Sequence, residues 1–516
     1  MADIGLIVVY FAVLAALSSY GFHRLHLVVM CRRHRERIRD VAARAGAPKR
    51  GDDLPRVTVQ LPIFNESTVV ERLLQCVAAM DYPRHRLEIQ VLDDSTDETR
   101  GIAKREVAKL VAGGYDAVYI HRTDRTGYKA GALAHGLPMA KGDLIAIFDA
   151  DFVPNADFLR SCVGHFDDPE VGMVQTRWAH LNREASLLTR IQALMLDGHH
   201  IVENRARYGA GLFFNFSGTG GMWRRDAIVA AGGWQHDTLT EDLDLSYRAQ
   251  LAGWKFIYRP DVISPAELPE DISALRAQQY RWAKGTVQTA RKLCARLWRA
   301  PLSRAQRVEA FFHLTPHFAY PLMILLCLLL MPVLLLVDVT HDLRTALLFD
   351  APLCLAPISS LAAFYMLAES AQGRRRTGAL RLLPALVALG AGIAPHLSRA
   401  VLDGLRRSAG EFVRTPKRGS NRWRYQAQIE LPWPEIFFAV LTAACAVVAL
   451  LRGHYFAAPF AVLFAAGYSY IATLVVAEAI GRRRQRDAVE APVVSGTRVK
   501  TSERRDGAGV APDLAA

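Results

Sequence analysis

The sequence predicts an α/β protein in which a mostly parallel sheet, contained in a soluble block, is joined to α-helical transmembrane spans. Two observations lead to this prediction. Long uncharged apolar runs occupy the N-terminus and the last two-fifths of the 516 residues, and the block between them has an ordinary soluble composition. Within that block, short apolar segments alternate with longer segments of helical spacing, a rhythm typical of a parallel sheet with helices on both faces.

Four short apolar segments predict the strands of this sheet, at residues 57–61, 87–92, 117–120 and 144–148. They are rich in Val, Ile and Leu, as strands buried on both faces are. The segments 69–80 and 97–111 have the apolar spacing of helices and lie between the strands.

The apolar runs predict membrane spans on both sides of the block. Residues 4–22 form an uncleaved anchor about as long as a bilayer core requires, and the basic run that follows it places the block in the cytosol. Further spans are expected near residues 312–337, 351–369, 434–451 and 456–478. We interpret residues 382–407 as an interfacial amphipathic helix, with a spanning segment as the alternative.

These features divide the chain into parts. We expect a transmembrane anchor at 1–30, a cytosolic domain at 31–310 and a membrane domain at 311–480, which contains the interfacial helix and a loop within 380–432. The basic tail at 481–516 is expected to be disordered.

Charge and cysteine content argue against two classes of function. The net charge is +13, and the basic residues cluster at the edges of the apolar runs, which favours a lipid bilayer as partner and argues against nucleic acid. The seven cysteines are scattered and have no spacing typical of a zinc site or a CxxC motif. A redox or zinc centre is therefore not expected.

Carboxylates follow three of the predicted strands where each strand ends. Asp149 and Asp151 come directly after the fourth strand, Asp93 and Asp94 end the second, and Glu66 follows the first. Ligands of open parallel sheets bind at the carboxyl ends of the strands, so we expect these groups to line one edge. There, hard oxygen ligands suit a divalent ion that bridges to a diphosphate. Taken singly, a DxD is more often a surface turn, and the second pair is compatible with a nearby helix cap.

Two further segments bear groups suited to catalysis. Asp242 precedes a helical run, where a carboxylate is held rigidly and kept anionic by the helix dipole, as a general base requires. Thr240 is a candidate cap of the same helix. Further along, Arg281 can fork onto phosphate oxygens, and Trp282 offers a flat apolar face to a sugar ring. An Arg-Trp pair near a membrane edge is equally compatible with a headgroup anchor.

The order of these motifs resembles the "D, DxD, TED, QxxRW" pattern of processive family-2 glycosyltransferases, which include cellulose, chitin and hyaluronan synthases. Over residues 55–295 the residues within the motifs are also similar, above all to those of the cellulose-synthase-like mannan and glucomannan synthases of plants and their bacterial relatives. The segments that carry this likeness are Val59-Gln-Leu-Pro-Ile-Phe-Asn-Glu66, Gln90-Val-Leu-Asp-Asp-Ser-Thr-Asp97, Gly127-Tyr-Lys-Ala-Gly-Ala132, Phe148-Asp-Ala-Asp-Phe152 and Gly253-Trp-Lys-Phe256.

The resemblance implies a nucleotide-sugar-binding sheet of the GT-A type and assigns roles on the donor side. The nucleoside and the diphosphate would be held by a set of charged residues, and a divalent ion, Mg²⁺ or Mn²⁺, by two carboxylates. The implied donor-binding residues are Glu66, Asp93, Asp94, Lys129, Asp149 and Arg281, and the implied metal ligands are Asp149 and Asp151.

On the acceptor side, the resemblance implies that Asp242 is the catalytic base and that Gln278 and Trp282 bind the acceptor sugar. Residues 213–221 resemble an acceptor-side loop. Residues 412–419 resemble the loop that closes over the nucleotide in the synthases, although Arg414 beside Thr415 departs from that pattern.

We therefore expect a multi-pass hexosyltransferase of a bacterial inner membrane, with its catalytic domain in the cytosol. It would transfer a sugar with inversion from a nucleotide-diphospho-sugar, UDP-glucose or GDP-mannose, to a growing β-linked polysaccharide. The alternative within enzymes is a glycolipid-forming transferase that adds one or a few sugars to a lipid acceptor. A multispan transporter is the alternative outside enzymes, but the carboxylates cluster in the soluble block and the spans carry few charges.

Overall fold

The computed structural model describes residues 2–41, 43, 53–336, 351–406 and 430–490. The expected nucleotide-covering loop at 412–419 and most of the expected tail lie outside these residues. The described chain forms one seven-stranded sheet with helices around it, preceded and followed by long apolar helices.

The sheet strands, in chain order, are β1 Val57–Ile63, β2 Leu87–Asp93, β3 Asp116–His121, β4 Leu144–Ile147, β5 Val171–His180, β6 Gly221–Arg224 and β7 Lys255–Ala266. The helices are α1 Ala2–Arg33, α2 Arg35–Arg39, α3 Val70–Ala78, α4 Thr99–Ala112, α5 Tyr128–Gly136, α6 Phe158–Val163, α7 Leu187–Asp197, α8 Asn204–Ala210, α9 Arg225–Ala230, α10 Glu241–Leu251, α11 Ile272–Arg299, α12 Arg304–Leu314, α13 Ala319–Leu336, α14 Ala351–Ser370, α15 Arg376–Gly392, α16 Ala394–Arg406, α17 Trp433–Leu451 and α18 Ala457–Glu490.

The strand order across the sheet is β3-β2-β1-β4-β6-β5-β7. Neighbouring strands run parallel except at β6, which is antiparallel to both β4 and β5. The mostly parallel α/β sheet predicted from the sequence is therefore confirmed. β1 and β2 pair in register from Val57 with Leu87 to Ile63 with Asp93, so their carboxyl ends meet at one edge.

The sheet is buried on both faces: every residue of β2 and β4 is buried, and so is every residue of β1 except Pro62. One face packs against α3, α4 and α6 through residues such as Val59, Leu73 and Phe158. The other face belongs to a cluster that runs from Ile147 in the sheet to Phe364 in α14. The core of the soluble block is thus continuous with the apolar helices, which fixes their position relative to the sheet.

Four described helices are long and apolar enough to cross a bilayer: Ile4–Arg33, Pro316–Leu336, Trp433–Leu451 and Ala457–Arg484. A fifth candidate is the bent pair formed by α15 and α16, which meet at 49°. These helices coincide with four of the spans expected from the sequence, and α14 occupies the position of the remaining one. The bent pair covers the segment expected to form an interfacial helix, and its interfacial position stays a prediction.

Three carboxylates of the apolar helices face the soluble block. Glu369 in α14 bonds Arg183 at 2.8 Å, and Glu435 in α17 bonds the buried Arg276 at 3.0 Å. The side chain of Glu478 in α18 accepts hydrogen bonds from the backbone and hydroxyl of Ser273 in the first turn of α11, the hydroxyl at 2.6 Å. These two ion pairs and one pair of hydrogen bonds join α14, α17 and α18 to the soluble block.

Candidate active site

One cavity opens at the carboxyl ends of the strands and continues to α10 and α11. Its wall contains nine of the ten residues named from the sequence as site residues, namely Glu66, Asp94, Lys129, Asp149, Asp151, Asp242, Gln278, Arg281 and Trp282. The residues after β1, β2 and β4 meet because parallel strands end at the same edge, and α10 and α11 complete the cavity from positions up to 216 residues further along the chain.

Asp93 is the named residue that the cavity wall does not include. Its side chain is fully buried and accepts hydrogen bonds from the backbone of Ser95 at 2.8 Å and from the hydroxyl of Tyr119 at 2.7 Å. Asp94 does line the cavity, and Arg122 holds it with two hydrogen bonds of 2.8 and 2.5 Å. Asp93 therefore shapes the turn after β2, and Asp94 lies in the cavity wall.

Lys129 and Asp149 form the centre of the cavity. The ammonium group of Lys129 bonds the carboxylate of Asp149 and donates to the carbonyl of Gly218 at 2.9 Å. Burial alone would lower the pKa of Lys129, but Asp149 and Glu241 outweigh it and raise that pKa above its usual value. Lys129 is thus a fixed positive charge beside the first carboxylate of the DxD motif.

Asp149 and Asp151 both line the cavity, and their carboxylates are the groups there that could hold a divalent ion. Within the described ranges, no group of three or more His, Cys, Asp or Glu side chains is arranged to hold a metal ion. Two carboxylates supply only part of the about six to eight oxygen ligands that a hard divalent ion such as Ca²⁺ takes, so an ion held by Asp149 and Asp151 would need further oxygen ligands. The charge balance agrees, since the lining holds seven carboxylates against three cations: Glu66, Asp94, Asp149, Asp151, Glu241, Asp242 and Glu267 against Arg125, Lys129 and Arg281.

Asp242 lies in the first turn of α10. One of its carboxylate oxygens accepts the backbone N–H of Leu243 at 2.8 Å. Thr240 stands at the cap position, but its hydroxyl pairs with Thr289 at 3.2 Å and makes no side-chain cap bond, so the expected capping role is wrong. Gly218 has a φ of +83°, and a Cβ there would lie 3.1 Å from the other oxygen of Asp242. A glycine at 218 therefore keeps the approach to this carboxylate open.

The pKa of the Asp242 carboxyl is raised to about 7. Burial is the largest cause, the adjacent Glu241 adds to it, and Lys129 opposes it. Burial also raises the pKa of Glu241. A carboxylate with a pKa near neutrality is the kind of group that can accept a proton from a hydroxyl in a reaction near that pH.

α11 carries the last three named residues on neighbouring turns. Arg281 and Trp282 follow Gln278 by three and four residues. All three therefore share the face of the helix that meets the cavity. Burial lowers the pKa of Arg281, although Glu241 and Asp149 oppose this effect. The hydroxyl of Tyr280 bonds Asp403 in α16, which ties this turn of α11 to the bent helix pair.

Several residues of the cavity wall were not singled out from the sequence. Glu241 belongs to the same motif as Asp242, residues 240–242. Its effect on the pKa of Asp242 depends on burial, which the sequence does not reveal. The guanidinium of Arg125 lies 3.4 Å from the centre of the Phe64 ring, near the ends of β1 and β2. Trp178 and His180, at the end of β5, complete the opposite wall. Aromatic residues in the last positions of an apolar segment were the available signal for this last pair.

Comparison with known proteins agrees with this geometry. Residues 55–285 match the family model described as "Glycosyltransferase like family 2". Glucomannan 4-beta-mannosyltransferase 1 of Cyamopsis tetragonoloba is 38% identical over 297 residues, which cover 54% of this chain and 56% of that protein. The chain thus spans little more than half the length of this curated relative.

Among solved structures, a mannosyltransferase from Pyrobaculum calidifontis in complex with GDP-Man and Mn²⁺ is similar at a TM-score of 0.53. It is 24% identical and covers 77% of this chain and 99% of its own, a likeness that shows the fold. These findings confirm the resemblance stated from the motifs: residues 55–285 are similar to the family-2 glycosyltransferases.

Proposed function

We propose that this protein transfers a hexosyl residue with inversion from a nucleotide-diphospho-sugar to a sugar hydroxyl of a growing β-linked polysaccharide. The observation that carries the proposal is the position of Asp242. It is a buried carboxyl with a pKa of about 7, and it shares one cavity with Lys129, Arg281 and the DxD pair Asp149 and Asp151. One cavity thus contains a candidate base together with charged side chains suited to a diphosphate and its metal ion.

In the proposed reaction, the acceptor hydroxyl oxygen attacks the anomeric carbon while Asp242 accepts the hydroxyl proton. The bond between that carbon and the phosphate oxygen breaks, and the diphosphate leaves with the electron pair. Arg281 and Lys129 stabilise the charge that develops on the leaving group. A divalent ion held by Asp149 and Asp151 would supply further positive charge at the diphosphate. A single displacement inverts the centre, so an α-linked donor gives a β-linkage.

The proposed donor is GDP-mannose or UDP-glucose, and the proposed product is a β-mannan or β-glucan. Support comes from the plant relative, a glucomannan 4-beta-mannosyltransferase, which is 38% identical over 297 residues. The nucleobase would lie at the ends of β1 and β2, where Glu66, Asp94 and Arg125 line the cavity.

The proposed location is a membrane, with the catalytic domain on the cytosolic side of a bacterial inner membrane. Four described helices have the length and composition of spans, and the basic run Arg32, Arg33, Arg35 and Arg37 follows the first of them. The contacts of Glu369 in α14, Glu435 in α17 and Glu478 in α18 with the soluble block support a role of these three apolar helices in holding the cavity.

The proposal is tested with purified protein in liposomes and labelled UDP-glucose, UDP-N-acetylglucosamine or GDP-mannose, each with Mg²⁺ or Mn²⁺. We expect incorporation from a hexose donor into a product of high molecular mass that a β-mannanase or β-glucanase digests. A product that stays in the lipid extract with one or a few sugars would favour the glycolipid alternative. An α-linked product from an α-linked donor would contradict inversion.

A further inference from the structure

The order of the strands divides the cavity into two halves. Glu66 and Asp94 follow β1 and β2 on one side of the DxD pair, which follows the central strand β4. On the other side, β5 and β7 run parallel until His180 pairs with Ala266, and the chain after β7 lines the cavity before it enters α11. If the nucleotide occupies the β1–β2 half, the β5–β7 half is the part left for the acceptor.

His180 lines this second half, and its imidazole is nearly buried, with 4% of the side chain exposed. Its Nε2 lies 3.5 Å from Oδ1 of Asp197 in α7. Among the described residues no hydrogen bond of normal geometry satisfies Nε2, although the carboxylate faces it. The other ring nitrogen, Nδ1, is then the polar atom of His180 available to a molecule in the cavity.

Asp197 is itself held in place as an anion. Its Oδ2 accepts hydrogen bonds from Arg183 at 2.6 Å and from Arg374 at 2.5 Å, and only 1% of its side chain is exposed. Burial alone would raise the pKa of Asp197, but His180 and Arg374 outweigh it and hold that pKa well below its usual range. The same two arginines also bond Glu369 of α14.

We propose that His180 binds a hydroxyl of the acceptor sugar through Nδ1 and that Asp197 is the positioning residue that orients its ring. The proposal rests on the proposed function, because it names a binding residue for the acceptor of that reaction.

The chemistry follows from the pairing of imidazole and carboxylate. A carboxylate facing Nε2 favours the tautomer with its proton on that nitrogen, which leaves Nδ1 as a hydrogen-bond acceptor. A sugar hydroxyl is a donor of the matching kind. Trp178 fixes the neighbouring wall, since its ring packs on Phe152 at 5.3 Å and its Nε1 donates to Thr219 at 3.3 Å. A rigid wall and an oriented acceptor atom together form a subsite that selects the pose of a bound sugar.

The test separates transfer from hydrolysis of the donor. Protein in liposomes receives the labelled donor that the wild type uses, and the label is divided between polymeric or lipid-linked product and free sugar. His180→Ala is expected to raise the ratio of free sugar to product about tenfold, as expected for loss of one hydrogen bond in a dry site, while the donor KM stays within about twofold. Asp197→Asn is expected to change the ratio in the same direction.

Two further variants distinguish binding from a structural role. The Asn oxygen lies near the position of Nδ1, so His180→Asn is expected to retain more transfer than His180→Ala. Glu369→Gln is the matched control, because it weakens the same ion cluster without contacting His180. It is expected to lower the midpoint of thermal unfolding but to keep the wild-type ratio.

The inference is overturned if His180→Ala keeps the wild-type ratio, or if Glu369→Gln raises the ratio as much as His180→Ala does. Failure of the proposed function would look different, because the wild type itself would then release no nucleotide from any of the donors.

Discussion

The raised pKa of Asp242 predicts how the rate depends on pH and which neighbour controls it. The perturbation is Glu241→Gln, which removes the adjacent negative charge and keeps the size of the side chain. Glu241 is the largest electrostatic cause of the raised pKa, second only to burial. The substitution should therefore lower the pKa of Asp242 and leave the base ionised at more acidic pH.

The magnitude follows from the two values of the pKa. The carboxyl moves from its ordinary 3.8 to about 7, which corresponds to about 4 kcal/mol against ionisation. Burial is the largest cause and is unchanged in the variant. We expect the removal of one like charge to shift the pKa down by about one pH unit.

The assay is the pH profile of kcat/KM for the donor, because this quantity reports ionisation in the free enzyme. A base with a raised pKa is protonated, and inactive, below that pKa. The wild-type rate should therefore fall as the pH drops through about 7 and reach a plateau above it. We call this fall on the acidic side of the profile the acidic limb. In Glu241→Gln the acidic limb should lie at lower pH.

Lys129→Met should shift the pKa of Asp242 in the opposite direction, because Lys129 lowers that pKa in the wild type. The acidic limb of this variant should move to higher pH, in addition to any loss of donor binding. The reasoning is refuted if the wild-type profile has no acidic limb between about pH 6 and 8, or if both variants shift it in the same direction.

Two other predictions concern a glycine and a buried ion pair. Gly218→Ala should lower kcat/KM by at least about tenfold, because its Cβ would crowd Asp242 at 3.1 Å, whereas Gly233→Ala should leave the rate unchanged, since nothing lies within 4 Å of its Cβ. Both glycines have positive φ, so both variants should lose about 1–2 kcal/mol of unfolding free energy, measured by denaturation in detergent; equal rates in the two would contradict the crowding argument. Glu435→Ala should destabilise the protein by about 3–5 kcal/mol, because it leaves a buried arginine unpaired. Glu430→Ala removes an exposed pair and should cost no more than about 1 kcal/mol, so comparable unfolding midpoints would contradict a role of the buried pair.

The first half of the sheet was readable from the sequence because its strands are short apolar runs that end in polar residues. The predicted segments 57–61 and 87–92 became β1 Val57–Ile63 and β2 Leu87–Asp93. β6, by contrast, is four residues long and antiparallel, and neither its length nor its direction leaves a periodic signal.

The sequence predicted those site residues that belong to recognisable motifs. Asp149 and Asp242 were named by pattern and do line one cavity. His180 was missed because its surroundings come from Asp197 in a helix and from the end of β7, a strand that pairs with β5 only in the folded chain. The capping role expected for Thr240 was wrong because α10 packs against α11, and the hydroxyl of Thr240 forms a hydrogen bond with that of Thr289 in α11.

The central claim, that Asp242 is the base of a glycosyl transfer, is tested most directly by comparing Asp242→Asn with the wild type. Protein of each kind, matched in amount and in unfolding midpoint, is placed in liposomes with labelled donor and Mn²⁺, and incorporation into product is measured. The account predicts a loss of at least about a hundredfold, the usual contribution of a general base. Incorporation by Asp242→Asn near the wild-type rate would contradict it.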